Sequence, residues 1–165
     1  MERFLRSAGI VLVLLILQTT FIPYLTVGGF LPDIFLPWLI YLALRRGQIE
    51  AALYGFGVGI LQDVTATKFL GLAALSKTIA AFTAGYFVNE NTTEQTLGSY
   101  RYVLIVLLCS FIHDLVYFSV FFQGIDGGFL VHVLQFSVAS TIYTGVVSLL
   151  PMFAFSQRYS TSWAQ

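Results

Sequence analysis

Charge is what this sequence has least of. Asp, Glu, Lys and Arg make up only 10% of it, where a soluble globular domain carries about 25%. Its eight basic and eight acidic residues cancel, and there is no basic tail, so nothing supports nucleic-acid binding. The single cysteine, Cys109, lies in an apolar run, which excludes an intramolecular disulfide and argues against a thiolate metal site. Catalytic signatures are missing as well. The chain has no H-E-x-x-H, no G-x-S-x-G and no G-x-x-x-x-G-K-[ST]. It also has no His/Asp/Glu cluster at metal-ligand spacing and no pair of carboxylates set for acid–base work. The expectation is a non-enzymatic protein without cofactor or metal. No linker, low-complexity segment or second domain interrupts the chain, so residues 1–165 read as one domain.

What the sequence has in abundance is apolar length. It is 58% hydrophobic with a mean hydropathy of +0.84, the profile of an integral membrane protein. A span takes about 20 apolar residues, and six stretches approach that: 7–22, 27–44, 48–63, 69–88, 102–122 and 129–154. Arg3 and Arg6 precede the first run as in a signal peptide, but Gln18-Thr19-Thr20-Phe21 ends it with no small-x-small cleavage site, so it reads as an uncleaved span. The second is short between Pro32 and Arg45, a length that also suits a re-entrant segment, and Pro37 is a candidate kink.

Charge placement tests the count. Six crossings from an inside N-terminus put Arg3, Arg6, Arg45, Arg46, Arg101 and Arg158 on the inner side and Lys68 alone on the outer side. That asymmetry follows the positive-inside rule. The fold expected is therefore an all-α, six-helix transmembrane bundle with both termini cytoplasmic. Short outer loops at 23–30, 64–68 and 123–128 leave no extracellular domain, and the polar stretch 89–99 is an inner loop.

One helix is organised differently from the rest. Ala51, Gly55 and Gly59 recur every fourth residue in the third span, a bare stripe that lets another helix backbone approach closely. Internal packing and a partner helix are both readings of it. The span ends in Gln62 and Asp63, and Gly71, which opens the next one, is expected on the same packing face. Lys77 and Asp114 lie inside spans, where an ionisable group usually faces a bundle interior or cavity. At 1.5 Å per residue, Lys77 is about 12 Å below the outer end of the fourth span. Asp114 falls about 10 Å below the outer surface of a ~30 Å core, and Asp63 slightly shallower.

These residues form a candidate buried polar cluster or pocket: Asp63, Lys77, Asp114, His113 and Gln62. Lys77 is expected to pair with Asp114 or Asp63, either as a structural ion pair or as part of a ligand or partner site. Ser110, His113, Asp114 and Tyr117 share one helical face, and His132, Gln135, Ala139 and Tyr143 form a weaker polar stripe on the sixth span. His113 and His132 read as hydrogen-bonded packing residues. Side chains of adjacent residues diverge by about 100°, so His113 and Asp114 do not make a ready dyad. Pro32-Asp33 reads as a helix start, with Pro preset for the first turn and Asp at the positive end of the dipole.

The order of these features resembles the rod shape-determining MreD family of bacterial inner membranes. The residues that carry it are Leu31-Pro32-Asp33-Ile34, then Gly55-Phe56-Gly57-Val58-Gly59-Ile60-Leu61-Gln62-Asp63, then Leu70-Gly71-Leu72-Ala73-Ala74-Leu75 and Lys77. They follow the family's G-x-x-x-G-L-L-x-D and L-G-L-x-A-L patterns, with Ile60 for the first Leu. The recognisable motifs cover about residues 31–86. The resemblance implies a non-enzymatic scaffold of the cell-elongation complex in the cytoplasmic membrane, supporting lateral peptidoglycan synthesis and cell shape. Its implied partners are the bitopic protein MreC, whose transmembrane helix it would dock, the glycosyltransferase RodA, a class B penicillin-binding protein, the actin-like MreB, and membrane lipid. The resemblance also implies an S-component-like fold, and Gly55, Gly59, Asp63, Gly71 and Lys77 as the motif residues. The alternative is a true vitamin-binding S component of an ECF-type transporter. Such proteins usually carry an A-x-x-x-A-x-x-x-A stripe on the first span, which GIVLVLLILQ lacks.

Overall fold

The computed structural model describes residues 2–20, 24, 32–66, 69–88, 93–123 and 128–162. The fold is all-α. Seven α-helices occur among the described residues: α1 Glu2–Thr20, α2 Phe35–Arg46, α3 Gln48–Ala66, α4 Leu72–Ala84, α5 Thr93–Leu97, α6 Tyr100–Phe121 and α7 Phe129–Ser162. A 3-10 turn, Gly85–Phe87, extends α4. By length and hydropathy two helical stretches could cross a membrane, Tyr100–Phe121 and Phe129–Phe153.

Several boundaries differ from the sequence reading. The second helix begins at Phe35 rather than 27, and residues 25–31 lie outside those described, as does Lys68. Pro37 is the third residue of α2, in the first turn where its missing N–H has no intrahelical partner to lose, so it starts the helix instead of kinking it. The polar stretch read as a loop contains α5, with Glu94 in its first turn.

Two glycines in left-handed backbone conformations set the turns around α3 and α4. Gly47, at φ 88°, is the whole connection between α2 and α3, and its N–H returns to the Ala43 carbonyl at 2.9 Å. Gly71, at φ 94°, directly precedes α4. A side chain would strain either position.

The tightest packing is between α3 and α4. A Cβ built on Gly59 would stand 2.2 Å from Ala74 Cα, and one on Gly55 would stand 2.9 Å from the Lys77 carbonyl oxygen. The small-residue stripe is therefore filled by the chain's own α4. Gly71 does not belong to that face, since nothing lies within 4 Å of its Cβ position; it is a turn residue. Ala51 is fully buried in the main apolar core, with Ile40, Ala81, Tyr102 and Val106 from α2, α4 and α6. Tyr102 is buried there too, its hydroxyl donating to the Pro37 carbonyl at 2.7 Å. A smaller cluster of Val11, Phe35 and Val58 joins α1 to α2 and α3. Large apolar side chains also cover the outward faces: Leu12, Ile16, Leu53, Phe56, Leu104 and Leu130 are all more than half exposed.

Candidate functional site

Polar side chains from four helices meet at the end where α1 and α3 finish and α2 and α4 begin. Lys77 enters from α4 and is 1% exposed. Its Nζ donates to Asp33 Oδ2, at the start of α2. The other oxygen, Asp33 Oδ1, accepts the Phe35 N–H at 2.9 Å, so one carboxylate both caps α2 and balances the lysine. Its own backbone N–H donates to Thr144 Oγ1 on α7 at 3.2 Å. The carbonyl before it is held from α1: Gln18 Nε2 donates to the Pro32 carbonyl at 3.2 Å, and Ile34 N–H donates to Gln18 Oε1 at 3.1 Å.

On α6, His113 and Asp114 are both buried. His113 Nδ1 lies 3.0 Å from Asp114 Oδ1, and Thr141 Oγ1 on α7 donates to Asp114 Oδ2 at 3.0 Å. The expectation that adjacent residues would not form a dyad is corrected here. The two Cβ directions diverge, but both side chains are long enough to bend back to one another. His113 Nε2 is 4.0 Å from Asp33 Oδ2, which brings the two pairs into one cluster. Tyr117 stacks on His113 with ring centres 6.0 Å apart, and Phe121 stacks on Tyr117 at the same distance.

The partner of Lys77 is thus Asp33, neither of the acids that the depth estimate singled out. Depth along a helix gives a level, not an azimuth, and Asp33 stands just before α2 at the end of the bundle where Lys77 enters. Asp63 does something else. Its carboxylate accepts the backbone N–H groups of Gly71 at 2.9 Å, Ala73 at 3.0 Å and Ala74 at 3.2 Å. Gly71 has no side chain with which to cap α4, so a carboxylate from α3 satisfies the orphan donors and meets the positive end of the dipole. Among the described residues no hydrogen bond or ion pair joins Asp63 or Gln62 to Lys77 or Asp114. Gln62 is half-buried, with Oε1 lacking a hydrogen-bond partner among the described residues.

The polar face of α7 is also not the expected one. His132 and Gln135 are exposed, and His132 Nδ1 lies 3.0 Å from the Gly128 carbonyl oxygen. The buried face instead carries Ser137, Thr141, Thr144 and Ser148. Their spacing of four, three and four is a helical signal that the sequence carries in its hydroxyl residues.

Chemically, the cluster offers paired charges and hydroxyls, most of them engaged by a neighbour on another helix or the next residue, while His113 Nε2 and Ser110 Oγ have no partner among the described residues. Among the described residues no three His, Cys, Asp or Glu side chains come together as metal ligands. The arrangement is suited to fixing four helices at one level. No family model matches the chain, and no curated protein and no solved structure matches it.

Proposed function

We propose that the chain is a non-enzymatic, multi-pass membrane scaffold of the MreD type, working in the bacterial cell-elongation complex. The observation that carries this reading is what the resemblance's motif residues do. Gly55 and Gly59 admit α4 to van der Waals contact; Asp63 caps α4; Gly71 makes the turn; Lys77 ties α4 to the start of α2. All five build one joint, and none presents a reactive group to a substrate. A motif made of such residues suits a protein whose product is a shape.

Membrane insertion is supported by two helices of spanning length and by the apolar side chains exposed on α1, α3, α6 and α7, more than a monomer in water usually shows. The buried charges fit a bilayer depth. At 1.5 Å per residue the 12-residue α2 is about 18 Å long, about 12 Å short of a ~30 Å core. An α2 rising from the inner surface therefore starts about 12 Å below the outer one, a depth at which the buried Asp33 needs the Lys77 counter-charge. On the inner side, Arg45 pairs with Glu94 of α5 at 3.4 Å and Arg46 with Glu50 at 2.6 Å. We read six passes with both termini cytoplasmic, α2 being the short one.

In this reading the partner's transmembrane helix, that of an MreC-type protein, lies against an outward apolar face, because α4 already fills the glycine stripe. The test is co-expression with a single-span coiled-coil protein of that type, followed by co-purification in detergent. Recovery that is lost when the partner's transmembrane helix is exchanged for an unrelated one supports the scaffold. Recovery that does not depend on that helix, or purification with an ATPase pair or a bound vitamin, overturns it in favour of the S-component alternative.

A further inference from the structure

Hydrogen bonds run almost completely around the buried cluster. Asp33 N–H donates to Thr144 Oγ1 on α7 at 3.2 Å. One turn earlier on α7, Thr141 Oγ1 donates to Asp114 Oδ2 at 3.0 Å. Asp114 Oδ1 meets His113 Nδ1 at 3.0 Å. The return from His113 Nε2 to Asp33 Oδ2 spans 4.0 Å, too far for a direct hydrogen bond. Nε2 has no hydrogen-bond partner among the described residues, although His113 is 5% exposed. Ser110, one turn away on the same face of α6, is fully buried, and its Oγ also has no partner among the described residues. Buried polar atoms left in this condition destabilise a fold, and they are rare for that reason.

The chemistry at the two ends selects what fits between them. Asp33 Oδ2 accepts from the Lys77 ammonium, and an ionised carboxylate only accepts. Asp114 already takes the Thr141 hydroxyl on one oxygen, so its other oxygen is matched by an Nδ1–H on His113. In the neutral imidazole that tautomer leaves Nε2 as an acceptor. Two acceptors therefore face each other, and the bridging group must donate to both. Water has two hydrogens to give; an alcohol has one. A single oxygen set to the side of the line can lie ~2.8 Å from each of two atoms so spaced.

We propose that His113 Nε2, Asp33 Oδ2 and Ser110 Oγ form a binding site for one internal water molecule. The water donates to the imidazole and to the carboxylate and accepts from the Ser110 hydroxyl. Three bonds are the usual number for a buried water. Bound there, it closes the circuit through α2, α6 and α7 and couples the Asp33–Lys77 pair to the His113–Asp114 pair. This site goes beyond the scaffold reading and does not depend on it.

The sequence makes the test direct, because His113 and His132 are its two histidines. In the full-length His132→Gln protein in lipid nanodiscs, the remaining imidazole is read by nitrogen-15 NMR at neutral pH. The expected result is a protonated Nδ1, an unprotonated Nε2 that accepts a hydrogen bond, and magnetisation transfer from water to Nε2. A proton on Nε2, or no transfer from water, overturns the proposal. A second measurement needs no histidine substitution. Ser110→Ala is expected to lower the thermal unfolding midpoint more than Ser76→Ala, whose hydroxyl is already satisfied by the Leu72 carbonyl of its own helix at 2.9 Å. A Ser110→Ala midpoint unchanged or raised means that the hydroxyl has no guest to bind, and the site fails.

Discussion

Replacing Lys77 by methionine keeps the length and most of the volume of the side chain and removes only the ammonium. The lysine is 1% exposed and its partner's side chain 11%, so neither solvent nor salt can take over the interaction. Asp33 would keep the Phe35 N–H but lose its counter-charge in a buried setting. Breaking a buried pair by removing one partner costs about 3–5 kcal/mol, a large share of the ~5–15 kcal/mol that holds a typical domain together. The structure adds a specific rescue. Asp33→Asn retains an oxygen for the Phe35 N–H while removing the second charge, so Asp33→Asn with Lys77→Met should recover most of the loss. Asp114→Asn and Asp63→Asn should not. The assay is reversible unfolding of the purified protein in mixed micelles, read by Trp fluorescence, over the complete double-mutant cycle. A Lys77→Met cost under about 1 kcal/mol, or rescue by position 63 or 114 in place of 33, would refute the assignment.

Three other substitutions test separate parts of the account by the same unfolding assay. Gly59→Ala should cost about 1–3 kcal/mol through overpacking, because its Cβ would overlap Ala74 Cα; a neutral effect means α3 and α4 are further apart. Asp63→Ala should cost about 2 kcal/mol as a lost helix cap, with Asp63→Asn recovering part of it; equal stability of all three proteins would remove the cap from α4. Thr141→Val leaves Asp114 Oδ2 without the 3.0 Å donor it has and should cost about 1–3 kcal/mol, whereas Thr83→Val, whose hydroxyl bonds within its own helix at 2.8 Å, should cost less.

Much of this architecture can be read from local pattern. Apolar runs locate α3 and α6 to within three residues, while α1 starts before its run and α7 continues past its own, and the four-residue recurrence of Ala51, Gly55 and Gly59 announces a close helix contact. A lone lysine among alanines likewise marks Lys77 as inward-facing. What pattern cannot supply is which groups compete for a charge. Asp33 lies 44 residues from Lys77, and their meeting depends on how α2 packs beside α4. Asp63 has the right level for Lys77 but is closer to three backbone donors that exist only once Gly71 has turned the chain. The hydroxyl face of α7 escapes notice for a chemical reason. Ser and Thr are able to satisfy themselves against their own helix, as Ser148 does with the Gly145 carbonyl at 2.6 Å, so in an apolar sequence they do not stand out as a charge does.

The claim on which the rest stands is that Lys77 is sealed within the protein by its pairing with Asp33. The unmodified chain can report this, since Lys68 and Lys77 are its two lysines. Amine acetylation of the folded protein in detergent, followed by peptide mass spectrometry, gives the rate at Lys77, and the same reaction after denaturation gives its intrinsic rate. The account predicts a Lys77 that stays unmodified while folded and reacts freely once unfolded. Equal rates in the two states would contradict it.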